Sequence, residues 1–297
     1  MSSLTLYIGS KNLSSWSLRP WLLLRHHGVR FKEVLIDLYR PDTRARILEH
    51  SPSGRVPALL HGTTRVWDSL AICEYAAETF ALPAAWPMDP AARAYARSIA
   101  AEMHSGFADL RRELSFDATR EPAPVAASAA AQADIERIGT IWREARDRFG
   151  GQGDWLCGHF GIADAMFAPV ALRFAGYAVK LGKVERAYVE HVLAHPAVQQ
   201  WIEAAAMEAP PPAPPAGPLV AKAADAPAAA LKTAERQPTA AKPANANPAK
   251  EDEIGDDELP PVPSRSAAKG SIGDGRKGQE SGPGAPARVR SVILPPD

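Results

Sequence analysis

Three short groups of residues in this 297-residue chain have the types and spacing to do chemistry. The first is Ser14-Ser15-Trp16-Ser17, a set of hydroxyls where a strand-like apolar run, Leu4 to Ile8, hands over to a helical pattern. The second is Val56-Pro57, followed at once by the apolar Ala58-Leu59-Leu60 and a His61-Gly62 turn. Proline rarely begins a paired strand, and a cis peptide bond in a tight loop is the commonest reason for finding one there. A cis bond at this point turns the Val56 N–H and C=O outward, free to pair with an extended peptide. The third is Asp68-Ser69, which opens another helical pattern after a short Val66-Trp67 strand. Orphan N–H groups and the macrodipole at a helix N-terminus favour a carboxylate. Each group also has a plain reading, as a polar loop, a trans turn and a helix cap; what distinguishes them is their occurrence together in this order.

Taken in that order, the residues resemble the glutathione-binding half of a cytosolic glutathione transferase. The resemblance is carried by R-V-P-A-L at Arg55 to Leu59 and by D-S-L-A-I-C-E-Y from Asp68. It implies that Val56, before the cis Pro57, pairs with the cysteinyl backbone of glutathione, and that Asp68 and Ser69 hold its γ-glutamyl end. Ser14 to Ser17 is similar to the S-S-C-S of the zeta-class maleylacetoacetate isomerases, with Trp16 where that class has cysteine. By that match Ser14 is the first choice as donor to the glutathione thiolate and Ser15 the second, and the missing cysteine counts against isomerase activity. Two readings are open for Arg55 and Lys11: partner of the glycyl carboxylate, or solvated surface charge. Tyr7 is read as core or pocket wall and Cys73 as a small buried residue. Met103, His104 and Phe107 lie on the side from which this family lines its electrophile pocket.

A thiol has an ordinary pKa of about 8.5, and lowering it by roughly two units takes about 2.7 kcal/mol of preferential thiolate stabilisation. A hydroxyl bonded to a charged acceptor contributes roughly 1.5–3 kcal/mol and a helix N-terminus about 0.3–1. A serine at a strand-to-helix junction therefore suffices. It cannot exchange disulfides, which sets S-S-W-S apart from a redox C-x-x-C.

The elements that must position these residues follow in the order β-α-β-α-β-β-α, that of a thioredoxin-like domain. Strand-forming runs cover Leu4 to Ile8 and Phe31 to Ile36; a helix starts among Ser14 to Ser17, with Pro20 tolerated only near that start. A further helix covers Ser69 to Phe80. Beyond the proline-broken Leu82 to Pro87 the pattern turns wholly helical. Ile99, Met103, Leu110 and Leu114 fall along one face of a long helix with Phe107 beside them, and Ile135 to Phe149 repeats at helical spacing. Asp164 matches the family's helix-start box, although the cap position holds Gly161 rather than serine.

The remainder has a different composition. Of the 28 prolines, 17 lie between Pro210 and Pro296, and no aromatic residue follows Trp201, so this segment cannot bury enough apolar surface to order itself. The expectation is a thioredoxin-like glutathione-binding domain over 1–82, an all-α domain over 88–208 and a disordered tail over 209–297. The formal net charge of zero gives no reason to expect nucleic acid or an anionic membrane as partner. The apolar run Trp21 to Leu24 is far short of a membrane span, and the first residues lack the pattern of a secretory signal. Two cysteines give neither a disulfide framework nor a metal-ligand spacing. The function expected is a cytoplasmic, homodimeric glutathione transferase acting on a small electrophile, with glutathione as co-substrate. Two alternatives stand beside it: cis-trans isomerisation, or a transferase-like module whose tail binds partners.

Overall fold

The computed structural model describes residues 3–208. Strand β1 (Leu4–Gly9) leads into helix α1 (Ser15–His26), and β2 (Lys32–Ile36) returns to lie parallel to β1. After the short helix α2 (Thr43–Leu48), strands β3 (Ala58–His61) and β4 (Thr64–Trp67) form a hairpin, and α3 (Ser69–Thr79) follows directly. The sheet order is β2-β1-β3-β4, with β1 and β3 antiparallel. Parallel pairing of β1 with β2 requires the crossover that α1 supplies, whereas β3 and β4 need only a turn. Gly62 makes that turn with φ 61°.

The helical part consists of α4 (Pro90–Ser105), α5 (Ala108–Glu113), α6 (Ala129–Phe149), α7 (Ile162–Gly176), α8 (Lys183–Ala194) and α9 (Pro196–Ala206). Helix α7 is buried along its whole length, because α1 and α3 pack on it from one side and α4 and α8 from the other. Helix α1 is correspondingly buried from Leu18 to Leu24. Burying each such leucine contributes about 1.5–3 kcal/mol.

The sequence reading is corrected at three points. The single long helix expected after Asp89 is two: α4 ends at Ser105, Gly106 is extended, and Phe107 is left-handed at φ 61°. The break puts Phe107 and Leu110 into the core from a second direction while keeping both buried. Pro20 is the sixth residue of α1 rather than one of its first turn, and the Trp16 carbonyl consequently has no i+4 N–H to receive. Helix α8 has no counterpart in the sequence reading. The expected disordered tail lies outside the described residues.

At the start of α7, the Asp164 carboxylate accepts from the Gly161 and Leu156 N–H groups, each at 3.0 Å, and from the Tyr188 hydroxyl at 3.1 Å. Gly161 stands where serine was expected because a Cβ there would come within 2.9 Å of the Ala85 carbonyl oxygen and 3.0 Å of that of Ala84. The segment before α4 runs against this helix start, and the Ile162 N–H donates to Ala85 at 2.9 Å.

Candidate active site

The site is built around the junction of β1 with α1. Ser14 is the N-cap of α1: its Oγ accepts from the Ser17 N–H at 3.3 Å and donates to Ser17 Oγ at 2.8 Å. Ser17 Oγ also accepts from the Gly9 N–H at 3.1 Å, which ties the end of β1 to the first turn of α1. Ser15 Oγ accepts a long bond, 3.4 Å, from the Arg173 guanidinium of α7. Both candidate serines are buried. The Ser14 hydroxyl proton is thus directed into Ser17, and donating it to a ligand requires the hydroxyl to rotate.

The Val56-Pro57 bond is cis. Pairing of β3 with its neighbours begins only at Ala58, which leaves Val56 outside the ladder. Val56 nonetheless touches the β1–α1 junction: a Cβ added to Gly9 would lie 3.0 Å from its Cγ2. Pro57 is buried and Arg55 is exposed beside it. Asp68 caps α3 with φ 77°, accepting from the Leu70 N–H at 2.9 Å, and Ser69 next to it is buried. The Arg19 guanidinium of α1 donates to Ser69 Oγ at 3.5 Å. The candidate residues from all three sequence groups thus lie around α1.

Lys11 is drawn elsewhere. Its ammonium pairs with Glu33 of β2 and lies over the Trp201 ring, so it is committed to holding the loop before α1. The same loop is held by Glu208, which accepts from the Lys11 and Asn12 N–H groups, and by Trp201, whose indole N–H donates to the Lys11 carbonyl at 2.9 Å. Tyr7 is half-buried in β1 and stacks on His50 at 3.9 Å between ring centroids. Cys73 is fully buried, and burial pushes its thiol well up, in accord with a structural role.

Two residues that the sequence reading did not place in the site, Arg19 and Arg111, converge on Trp16 together with His104, which it placed on the pocket side. The Arg19 guanidinium lies 4.2 Å from the indole centroid and that of Arg111 4.7 Å, while His104 meets the ring edge-on at 5.4 Å. His104 Nε2 is 3.3 Å from Asp68 Oδ2, so α4 reaches across to the cap of α3. Burial lowers the His104 pKa; Asp68 opposes that shift, and Arg19 and Arg111 add to it. Arg19 is itself fully buried, and burial, with Arg111 and Arg173 nearby, brings its pKa down to about 9. No local pattern announces this set, because its members come from α1, α4 and α5.

This arrangement joins a strand-to-helix junction rich in buried hydroxyls to a capped helix N-terminus, with a mixed four-stranded sheet behind them and a helical layer in front. That is the architecture of the glutathione transferases, a thioredoxin-like α/β domain followed by an all-α one. Comparison with known proteins agrees: residues 13–79 match the model of the glutathione S-transferase N-terminal domain and residues 126–204 that of the C-terminal domain. The two matches stand in the chain order of a glutathione transferase, N-terminal domain before C-terminal domain.

Among curated proteins it is 32% identical over 105 residues to one from Caenorhabditis elegans named "Probable maleylacetoacetate isomerase". That match covers 35% of this chain and spans about half, 48%, of the relative's length. Among solved structures it is similar to a glutathione transferase homolog from Burkholderia GL BGR1 with bound glutathione. The identity is 25% and the TM-score 0.51, covering 69% of this chain and 98% of that one. A diazinon-metabolizing glutathione S-transferase of the silkworm Bombyx mori shares the fold at 17% identity and a TM-score of 0.55, over 68% of this chain and 97% of that one. No helix among the described residues is long and apolar enough to cross a membrane.

Proposed function

We propose that this chain is a glutathione transferase that binds glutathione across the N-termini of α1 and α3, stabilises its thiolate with Ser14 or Ser15, and adds it to a small electrophile. The observation that carries the reading is the meeting at Gly9: Val56 approaches it from one side, and the Ser17–Ser14 pair bonds to it from the other. A peptide thiol running along Val56 reaches the hydroxyls of the α1 cap. In this reading Val56, with Pro57 behind it, pairs with the cysteinyl backbone. Asp68 and Ser69 take the γ-glutamyl end, and Arg55, exposed beside Val56, takes the glycyl carboxylate. Segment 1–82 holds glutathione and 88–208 supplies the wall for the electrophile. Like the family it resembles, the protein works as a cytoplasmic homodimer; sedimentation equilibrium of the purified chain tests the dimer.

The mechanism needs thiolate stabilisation worth about 2.7 kcal/mol for two pKa units. Ser14 has a competing acceptor in Ser17, and releasing it costs about 1 kcal/mol, less than a charge-assisted bond to sulfur returns. Ser15 is backed by the Arg173 guanidinium, which makes its hydroxyl the better proton donor of the two and keeps it in the assignment.

The test is a pH titration of the ultraviolet thiolate absorbance of bound glutathione. The wild-type complex should ionise roughly two units below the free thiol, and replacing Ser14 and Ser15 together by alanine should return it by about 1–2 units. A double variant with an unshifted bound-thiol pKa sinks the serine mechanism, and failure of the wild type to bind glutathione sinks the reading.

A second reading, glutathione-dependent cis-trans isomerisation, is favoured by the name of the Caenorhabditis elegans relative. Trp16 stands against it, filling the position of the zeta-class cysteine between two guanidinium groups. Turnover of a cis-enone without net consumption of glutathione would move the assignment to the isomerase.

A further inference from the structure

The loop between β1 and the cap of α1 is held from the far end of the described chain. Two successive amides of that loop point at one carboxylate: Glu208 accepts from the Lys11 N–H at 2.6 Å through one oxygen and from the Asn12 N–H at 3.1 Å through the other. Both bonds are charge-assisted, the stronger kind of hydrogen bond. The carbonyls of the same two residues are taken by other elements. That of Lys11 accepts from the Trp201 indole of α9 at 2.9 Å, and that of Asn12 from the Ala118 N–H at 3.1 Å. Glu208 itself is an extension of α9, its N–H donating to the Ala205 carbonyl at 3.2 Å.

This loop ends in the candidate thiolate donor. The Ser10 carbonyl accepts from the Leu13 N–H at 3.0 Å and from the Ser14 N–H at 2.8 Å, so Lys11, Asn12 and Leu13 form a closed turn whose exit is Ser14. Any rotation of the turn moves the Ser14 backbone and its hydroxyl together. A hydrogen bond weakens steeply once its distance and angle are lost, so a hydroxyl displaced in this way stops stabilising a thiolate.

We infer that Glu208 is a positioning residue for the thiolate donor: by bridging the Lys11 and Asn12 amides it holds the turn that presents Ser14 to the glutathione sulfur. The inference rests on the glutathione-binding reading above. It makes the end of α9 part of the site, through a contact between residues 197 apart in the chain. The charge of Glu208 and its grip on the loop act on the sulfur with opposite signs. As a negative charge it opposes a thiolate, and its removal would lower the pKa of the bound thiol. As a clamp it favours the thiolate, and its removal raises that pKa. Glu208 is half-buried, so water and salt screen its charge over about 8–10 Å; the hydroxyl contact is local and unscreened, and the clamp sets the sign.

The test titrates the ultraviolet thiolate absorbance of glutathione bound to the full chain and to its Glu208→Ala and Glu208→Gln variants. Glu208→Ala should raise the pKa of the bound thiol by about one unit, and Glu208→Gln, which keeps one acceptor oxygen, by about half as much. S-methylglutathione, whose sulfur cannot ionise, should bind all three proteins within about 2-fold by calorimetry. Transfer to a model electrophile by Glu208→Ala should be about 5-fold slower than wild type at pH 6.5 and less than about 2-fold slower at pH 9, where the thiol is ionised in both. A bound-thiol pKa that stays put or falls in Glu208→Ala overturns the inference. So does a loss of S-methylglutathione affinity as large as the change in thiolate stabilisation, because a general loosening of the site produces it. Should Glu208→Ala not fold, Glu208→Gln decides by the same sign. A wild type that fails to bind glutathione, or binds it with an unshifted thiol, defeats the glutathione reading itself; that differs from a wild-type shift which Glu208→Ala leaves in place.

Discussion

Asp68 has two kinds of partner available, and they compete. In the structure it faces His104 at 3.3 Å; with glutathione present it would face the ligand's ammonium. Burial lowers the His104 pKa below the ordinary value of 6.5, with Asp68 pulling it back up and Arg19 and Arg111 pushing it down. His104 is therefore neutral at neutral pH and charges only as pH falls below 6.5. Once charged it pairs with Asp68 and opposes the ligand's ammonium, so glutathione affinity should fall as the pH drops progressively below 6.5. In His104→Ala that fall should disappear, the affinity becoming flat over the same range. A titration that finds the same slope in both proteins removes His104 from the site. Legibility at this scale was uneven: Ser14 was readable as a cap because its partners lie within three residues, whereas neither reading left open for Lys11, the ligand's carboxylate or solvent, anticipated the Glu33 on which it is spent.

The start of α7 shows one element answering to two requirements. By intrinsic preference, serine at this cap is better than glycine by a few tenths of a kcal/mol, so Gly161→Ser should stabilise the protein if only the helix mattered. Packing gives the opposite sign, because the new Cβ meets the Ala85 and Ala84 backbone oxygens at 2.9 and 3.0 Å, and these are held by the segment before α4. Gly161→Ser should therefore destabilise, by about 1–3 kcal/mol as overpacking does, which for a protein of this size lowers Tm by several degrees. Differential scanning calorimetry gives the sign. The break between α4 and α5 follows a similar logic: the apolar spacing of Ile99, Met103, Leu110 and Leu114 fits one long helix, but Phe107 and Leu110 reach the core only if the chain turns at Gly106. Periodicity reports which residues are buried and leaves open whether one axis or two bury them.

Over the described residues the sheet and the helical layer share one core, because α1 belongs to both. One side of α1 faces β1 and α3, and the other packs on α7 and α9, with Trp21 and Trp201 in contact at 5.1 Å between centroids. Arg173 of α7 bonds to the Leu114 carbonyl at 2.8 Å as well as to Ser15, so the helical layer also reaches the α1 cap. Separating the two parts would expose the buried side of α1 that packs on α7 and α9. Thermal unfolding followed by tryptophan fluorescence and by far-ultraviolet ellipticity should accordingly give one transition with coincident midpoints. Two resolved transitions would mean that α1 belongs to the sheet alone.

The sequence by itself determined what short-range chemistry determines. Hydroxyls at a strand-to-helix junction, a proline opening a strand and an acidic residue before a helix each act within three or four residues, and so the α1 cap, the cis bond, the α3 cap and the β-α-β-α-β-β-α order could be read in advance. Tertiary structure alone decided which charges meet. Arg19 reaches Ser69 across 50 residues, Arg173 reaches Ser15 across 158 and Glu208 reaches Lys11 across 197. The pairing of such side chains depends on how α1, α4, α5, α7 and α9 pack, and that packing is set by burial of apolar surface, which is non-directional and writes no motif at the residues it brings together.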